Sequence, residues 1–137
     1  MAGVSPTAAY RHFADKDALL AALAVRGFRE FGQALGEAAA RDPQHEVSAR
    51  GRAYIRFALA RPGRFRLMFG PLLARVAPQN PELREASERT FAAIERAVGD
   101  KDEAMRRWGL VHGLAHLLLD GAMKADDIEE LIERLIP

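Results

Sequence analysis

The stretch from residue 101 to 120 most constrains what this chain can fold into. Gly99-Asp100 in front of it reads as a helix stop followed by a new N-cap, and Gly121 closes it. Between Trp108 and Leu119 its only polar side chains are His112 and His116. A helix apolar almost all round has to be buried on more than one side. One side can meet the helix's own domain, and the other needs a further partner. The segment 126–136 adds a second apolar stripe, with Ile128, Leu131, Ile132, Leu135 and Ile136 in i, i+3, i+4, i+7, i+8 order.

Helical spacing extends through the rest of the chain. Residues 15–41 read as one long helix with Asp15 as N-cap and a stripe of Leu20, Leu23, Phe28, Phe31 and Leu35. Gly27, Gly32 and Gly36 weaken that helix and point to close packing or a bend. Asp42-Pro43 ends it. A helix over 45–60 carries Val47, Gly51, Tyr54, Ile55, Ala58 and Leu59 on one face, and Arg61-Pro62-Gly63 breaks it. A short helix over 62–69 and an apolar turn or helix over 71–76 follow, then a loop over 77–81. A helix to residue 98 turns Leu83, Phe91, Ile94 and Val98 inward. No strand alternation, internal repeat or low-complexity tract is visible, so the expected class is all-α, with about seven helices.

The 137 residues suit one domain with a real core. The absence of Cys excludes disulfides and thiolate chemistry. No signal peptide or membrane-length apolar run is evident, so a cytoplasmic protein without a membrane partner is expected. Net charge is +1, but its distribution is uneven: residues 47–81 hold seven Arg and no acid, while the flanking segments are acidic on balance. Those arginines read as a solvated face, with a basic patch for DNA or an anion as the alternative. No nucleophile–base pair, phosphate loop or directed carboxylate pair appears, and no enzyme is expected.

Residues 2–16 form a tight turn, a short helix and the start of another. Ser5 is placed to cap and Pro6 falls at the first helical position. Ala9 and Phe13 share one face, leaving Thr7, Tyr10 and Arg11 on the other. The plain reading is a capped helix that packs. The sequence Gly-Val-Ser, then Tyr10, His12-Phe13 and Asp15-Lys16-Asp17-x-Leu-Leu resembles the second half of the helix-turn-helix of TetR-family transcriptional repressors. The resemblance implies a DNA-contacting set of Ser5, Pro6, Thr7, Ala8, Tyr10, Arg11, His12 and Lys16. Tyr10 and Lys16 would touch phosphates, and the first turn and Arg11 would lie nearest the bases. The chain begins inside this turn, so the helix-turn-helix is incomplete, and operator binding is expected with the preceding helices restored. The implied division is a partial DNA-binding region at 1–20 and a ligand-binding and dimerisation domain at 21–137.

Trp108-Gly109-Leu110-Val111-His112-Gly113 is similar to the Trp-x-x-x-His-Gly pattern of one class of TetR-family regulatory domains. Residues 61–70, Arg-Pro-Gly-Arg-Phe-Arg-Leu-Met-Phe-Gly, resemble the same class, although Arg61 stands where a His is common. This implies a homodimer built on the last two helices, with Leu110, Leu114, Leu117, Leu118, Ile128, Leu131, Ile132 and Leu135 at the interface. It also implies a small, apolar effector lined by Phe57, Phe65, Met68, Phe69, Trp108, His112 and His116, which otherwise read as plain core. His112 and His116 have metal-ligand spacing, but Asp120 is the sole candidate third ligand, so neither metal nor cofactor is expected. The function implied is a small-molecule-controlled repressor, with a dimeric ligand-binding module that no longer binds DNA as the alternative.

Overall fold

The computed structural model describes the backbone of residues 6–137 and the side chains of residues 15–137. Seven α-helices follow one another: α1 (Pro6–Arg41), α2 (Glu46–Ala60), α3 (Pro62–Phe69), α4 (Pro71–Val76), α5 (Pro81–Val98), α6 (Lys101–Leu119) and α7 (Ile128–Leu135). Single 3-10 turns at Pro43–His45 and Ala77–Gln79 join α1 to α2 and α4 to α5. No strand occurs among the described residues, and the all-α expectation holds.

Local chemistry explains most boundaries. Pro62, Pro71 and Pro81 open α3, α4 and α5, where a missing N–H costs nothing. Asn80 Oδ1 accepts from the Leu83 amide at 3.0 Å, Asp100 Oδ1 from Glu103 at 2.8 Å, and Asp127 Oδ1 from Glu130 at 3.0 Å. Each cap satisfies an amide that the first helical turn leaves free. Gly99 ends α5 in the left-handed region at φ 84°, which a side chain would strain.

One expected boundary is absent. The separate helices over 6–13 and 15–41 are a single α1, and Asp15 lies inside it rather than at a cap. No Pro or Gly stands between Phe13 and Asp17 to force a break. At 36 residues, α1 is about 54 Å long. It packs against α2, α3, α4 and α5, while α6 lies against α2 and α5. Phe28, Phe31, Tyr54, Ile55, Phe65, Met68 and Leu83 are wholly enclosed between them.

The inward face of α1 is smaller than its leucines predict. Leu23 is 37% exposed, and Ala21, Ala24 and Val25 are buried instead. Leu19 and Leu23 turn outward, while Leu35 stays buried and Leu20 packs partly against the core. Helix α7 is tied back on α2: the Ile136 carbonyl accepts from Arg52 Nη1 at 2.9 Å, and Arg56 pairs with Glu129 at 2.7 Å.

The three α1 glycines do different things. A Cβ at Gly27 would stand 2.6 Å from Met68 Sδ, so α1 and α3 meet there without room for a methyl group. At Gly32 the nearest atom would be Thr90 Oγ1, 4.0 Å away, and at Gly36 nothing lies within 4 Å. Gly27→Ala should therefore lower stability by about 1–3 kcal/mol despite better helix propensity. Gly36→Ala should raise it by about 0.5–1 kcal/mol. Thermal or urea unfolding of the two variants checks both signs.

Candidate functional site

The chemistry-bearing side chains inside the domain converge where α2 and α6 cross. Tyr54 projects from the buried face of α2, and Trp108, His112 and His116 lie one turn apart along α6. Trp108 Nε1 donates to Tyr54 Oη at 2.9 Å, and Tyr54 Oη lies 2.7 Å from His112 Nδ1. His116 Nε2 is 3.1 Å from His112 Nε2.

The direction of this chain follows from its first member. Indole N–H can only donate, so the Tyr54 oxygen accepts it; His112 Nδ1 is the acceptor within reach of the buried Tyr54 proton, so the hydroxyl donates there. His112 then carries its proton on Nε2 and donates it to His116 Nε2, which leaves the His116 proton on Nδ1. Burial holds the Tyr54 phenol well above its ordinary range, with the Trp108 hydrogen bond opposing the shift. Burial, and then the neighbouring His116, lower His112 below the usual imidazole value. Both shifts keep the groups neutral, as the hydrogen-bond order requires.

Aromatic rings frame the chain. Phe31 meets Tyr54 edge-on at 4.9 Å, Phe69 meets His112 at 5.1 Å, Phe65 lies 5.6 Å from both imidazoles, and Phe91 lies 4.8 Å from Trp108. The resemblance-based ligand set thus occupies one region, but as packed core. Phe57, Phe65 and Met68 are buried, and Phe69, Trp108, His112 and His116 are half-buried against them. Tyr54, which holds the cluster together, reads in the sequence simply as part of an apolar stripe. His112 meets the Tyr54 hydroxyl, not the backbone carbonyl expected of a core histidine. Asp120, the candidate third metal ligand, receives Arg66 Nη2 at 2.8 Å. No group of three metal-ligating side chains occurs among the described residues.

Open space lies beside this cluster. A cavity of about 370 Å³ separates α1 from α5, floored by Phe28, Leu35 and Ile94 and rimmed by Arg29, Arg50 and Arg89. A smaller space of about 40 Å³ adjoins it through Leu35, Arg50 and Ile94 and reaches Tyr54 and Trp108. Of the seven expected ligand residues, only Trp108 borders the smaller space, and none lines the larger.

The expected contact residues on DNA, Ser5, Pro6, Thr7, Ala8, Tyr10, Arg11 and His12, lie outside the residues whose side chains are described. Lys16 is exposed on α1. Among the eight expected interface residues, Leu110, Leu117 and Leu135 are exposed, at 51%, 43% and 38%. Leu118 and Ile128 are half-buried against the chain's own core. Leu114, Leu131 and Ile132 are buried within the single chain. On α6 the inward positions belong to Ala104, Val111, Leu114 and Ala115, leaving the opposite side open.

The described residues thus form an all-α bundle with an exposed apolar face on α6 and an open cavity between α1 and α5. A family model described as "Tetracyclin repressor-like, C-terminal domain" matches residues 47–137. The chain belongs to that family. No curated protein and no solved structure matches it.

Replacing Tyr54 with Phe removes the acceptor of a half-buried indole and the donor to His112 together, at a cost of about 1–3 kcal/mol by chemical denaturation. His112 binds its proton less readily folded than unfolded. Its contribution is therefore complete above the usual imidazole value of about 6.5 and is lost as pH falls below it. The melting temperature should fall more between pH 7.5 and 5 in the parent protein than in His112→Gln.

Proposed function

We propose that the chain is the effector-sensing and pairing part of a TetR-type transcriptional repressor, acting as a homodimer. The observation that carries this reading is the uncovered stripe of Met105, Leu110 and Leu117 on α6, with Leu135 likewise exposed on α7. Gly109 and Gly113 lie exposed along the same side, with nothing within 4 Å of an added Cβ. Large apolar side chains exposed in a row beside bare glycine backbone suit a second helix at close range. An isologous pairing of α6 and α7 with their twins would cover this face.

A small effector would bind among the helices of the domain, next to the Tyr54–Trp108–His112 cluster. Helix α1 offers the route from that site to DNA. Arg29 and Gly32 line the cavity, and Lys16 lies on the same helix. A tilt of α1 on effector binding would move the N-terminal ends of a dimer apart. Paired heads must match about 34–36 Å to read half-sites one helical turn apart.

At micromolar concentration, light scattering should report a dimer, and Leu110→Glu with Leu117→Glu should give a monomer that keeps its helical circular dichroism. A parent protein that is already monomeric overturns the pairing. Selection from a random-sequence duplex pool should enrich a two-fold symmetric site. A dimer that enriches none is a ligand-binding module without DNA reading.

A further inference from the structure

The cavity between α1 and α5 carries a charge pattern that the aromatic cluster does not. Arg29, Arg50 and Arg89 stand around it against Glu82 and Glu85. Arg29 is held by Glu82 at 3.1 Å. Arg50 and Arg89 form no ion pair among the described residues. Arg50 Nε is buried without a hydrogen-bond partner, the one such side-chain atom among the described residues. A guanidinium N–H taken from water and left unpaired costs about 1–3 kcal/mol or more. Arg50 also borders both the 370 Å³ cavity and the smaller space beside Trp108.

The rest of the lining sets what else the occupant must be. Phe28, Leu35 and Ile94 offer an apolar floor, and Ala86 and Ala93 keep the α5 wall low. The space exists partly because Gly32 carries no side chain opposite Thr90, whose hydroxyl already donates to the Ala86 carbonyl at 3.0 Å. That hydroxyl oxygen keeps lone pairs for a donor on a ligand. A volume of 370 Å³ lies at the small end of small-molecule sites, about 300–1,000 Å³.

We propose that this cavity binds a small amphipathic carboxylate, with its anionic head on Arg50 and its apolar body on Phe28, Leu35 and Ile94. This deepens the effector reading above and rests on it: it replaces a purely apolar effector with an anionic one, and moves it from the aromatic core to the α1–α5 cleft. Arg50 lines the cavity without an ion pair, so its planar guanidinium is left to grip a carboxylate there with two parallel bonds. Arg89 adds a second positive charge at the rim. Glu85, exposed on the same rim, disfavours ligands with a second negative charge near the mouth.

The test uses the full chain and two matched probes, 4-phenylbutyrate and its neutral amide. Binding is followed by calorimetry and by the fluorescence of Trp108, the only tryptophan of the chain. The carboxylate should bind at least about tenfold more tightly than the amide, and Arg50→Gln should erase that difference while leaving the amide unchanged. Gly32→Leu should block both probes, since it fills the cleft at a helical position with room for a side chain. Equal binding of the two probes, with Arg50→Gln without effect, overturns the anionic assignment but leaves an effector pocket. Binding that survives Gly32→Leu overturns the cavity assignment, and no binding of either probe overturns the proposal. Dimerisation and DNA selection are read in separate experiments, so their failure is distinguishable from failure here.

Discussion

The Tyr54 hydroxyl is the hinge pin of the interior. It is a polar group on the buried face of α2, and burial without partners would cost several kcal/mol. It has two partners, both from α6: the Trp108 indole that donates to it and the His112 nitrogen that accepts from it. The indole only donates, and His112 Nδ1 is the acceptor within reach of the hydroxyl proton, so the order of donation follows and both bonds favour one register of α6 against α2. A helix sliding by one turn would break at least one of these two bonds, leaving either the Trp108 indole or the His112 nitrogen without its partner. Apolar packing alone would tolerate several registers here, since the neighbouring rings are of similar size.

This arrangement explains where empty space can exist. The crossing of α2 and α6 is filled by rings from five helices and leaves no room for a guest. Across α1 the facing helix is α5, whose nearby residues are Ala86, Thr90 and Ala93, and Gly32 lies opposite. Small residues that permit contact at Gly27 leave a gap at Gly32, because Met68 reaches α1 at the first position and no long side chain does so at the second. The same residue type thus closes one interface and opens another.

The charges are arranged with similar economy. The arginines between residues 47 and 81 have no acid in their own segment. Arg75 pairs with Asp17, Arg64 with Glu30, Arg52 lies near Asp42, Arg66 meets Asp120 and Arg56 meets Glu129. Five of the seven arginines in the basic middle of the chain are therefore paired with acids from the two flanking segments. Individually such exposed pairs contribute little. Together they favour the fold that places the middle of the chain between its ends. Arg50 and Arg61 form no ion pair among the described residues, and of the two only Arg50 lines the cavity.

The sequence by itself determined the helical class, nearly every helix boundary from α2 onward, and the two apolar C-terminal segments. Caps, prolines and 3.6-residue spacing act within a turn or two, so Gly99, Asp100 and Pro62 could be read in place. It also pointed to Trp108, His112 and His116 as neighbours, because one helix carries all three. Only the tertiary structure decided that Tyr54 joins them, that Leu114, Leu131 and Ile132 face inward while Leu110 and Leu117 do not, and that the cavity lies beside Arg50. Those facts depend on which helix faces which across tens of residues, where side-chain volume and hydrogen-bond direction choose among faces that spacing alone leaves equivalent.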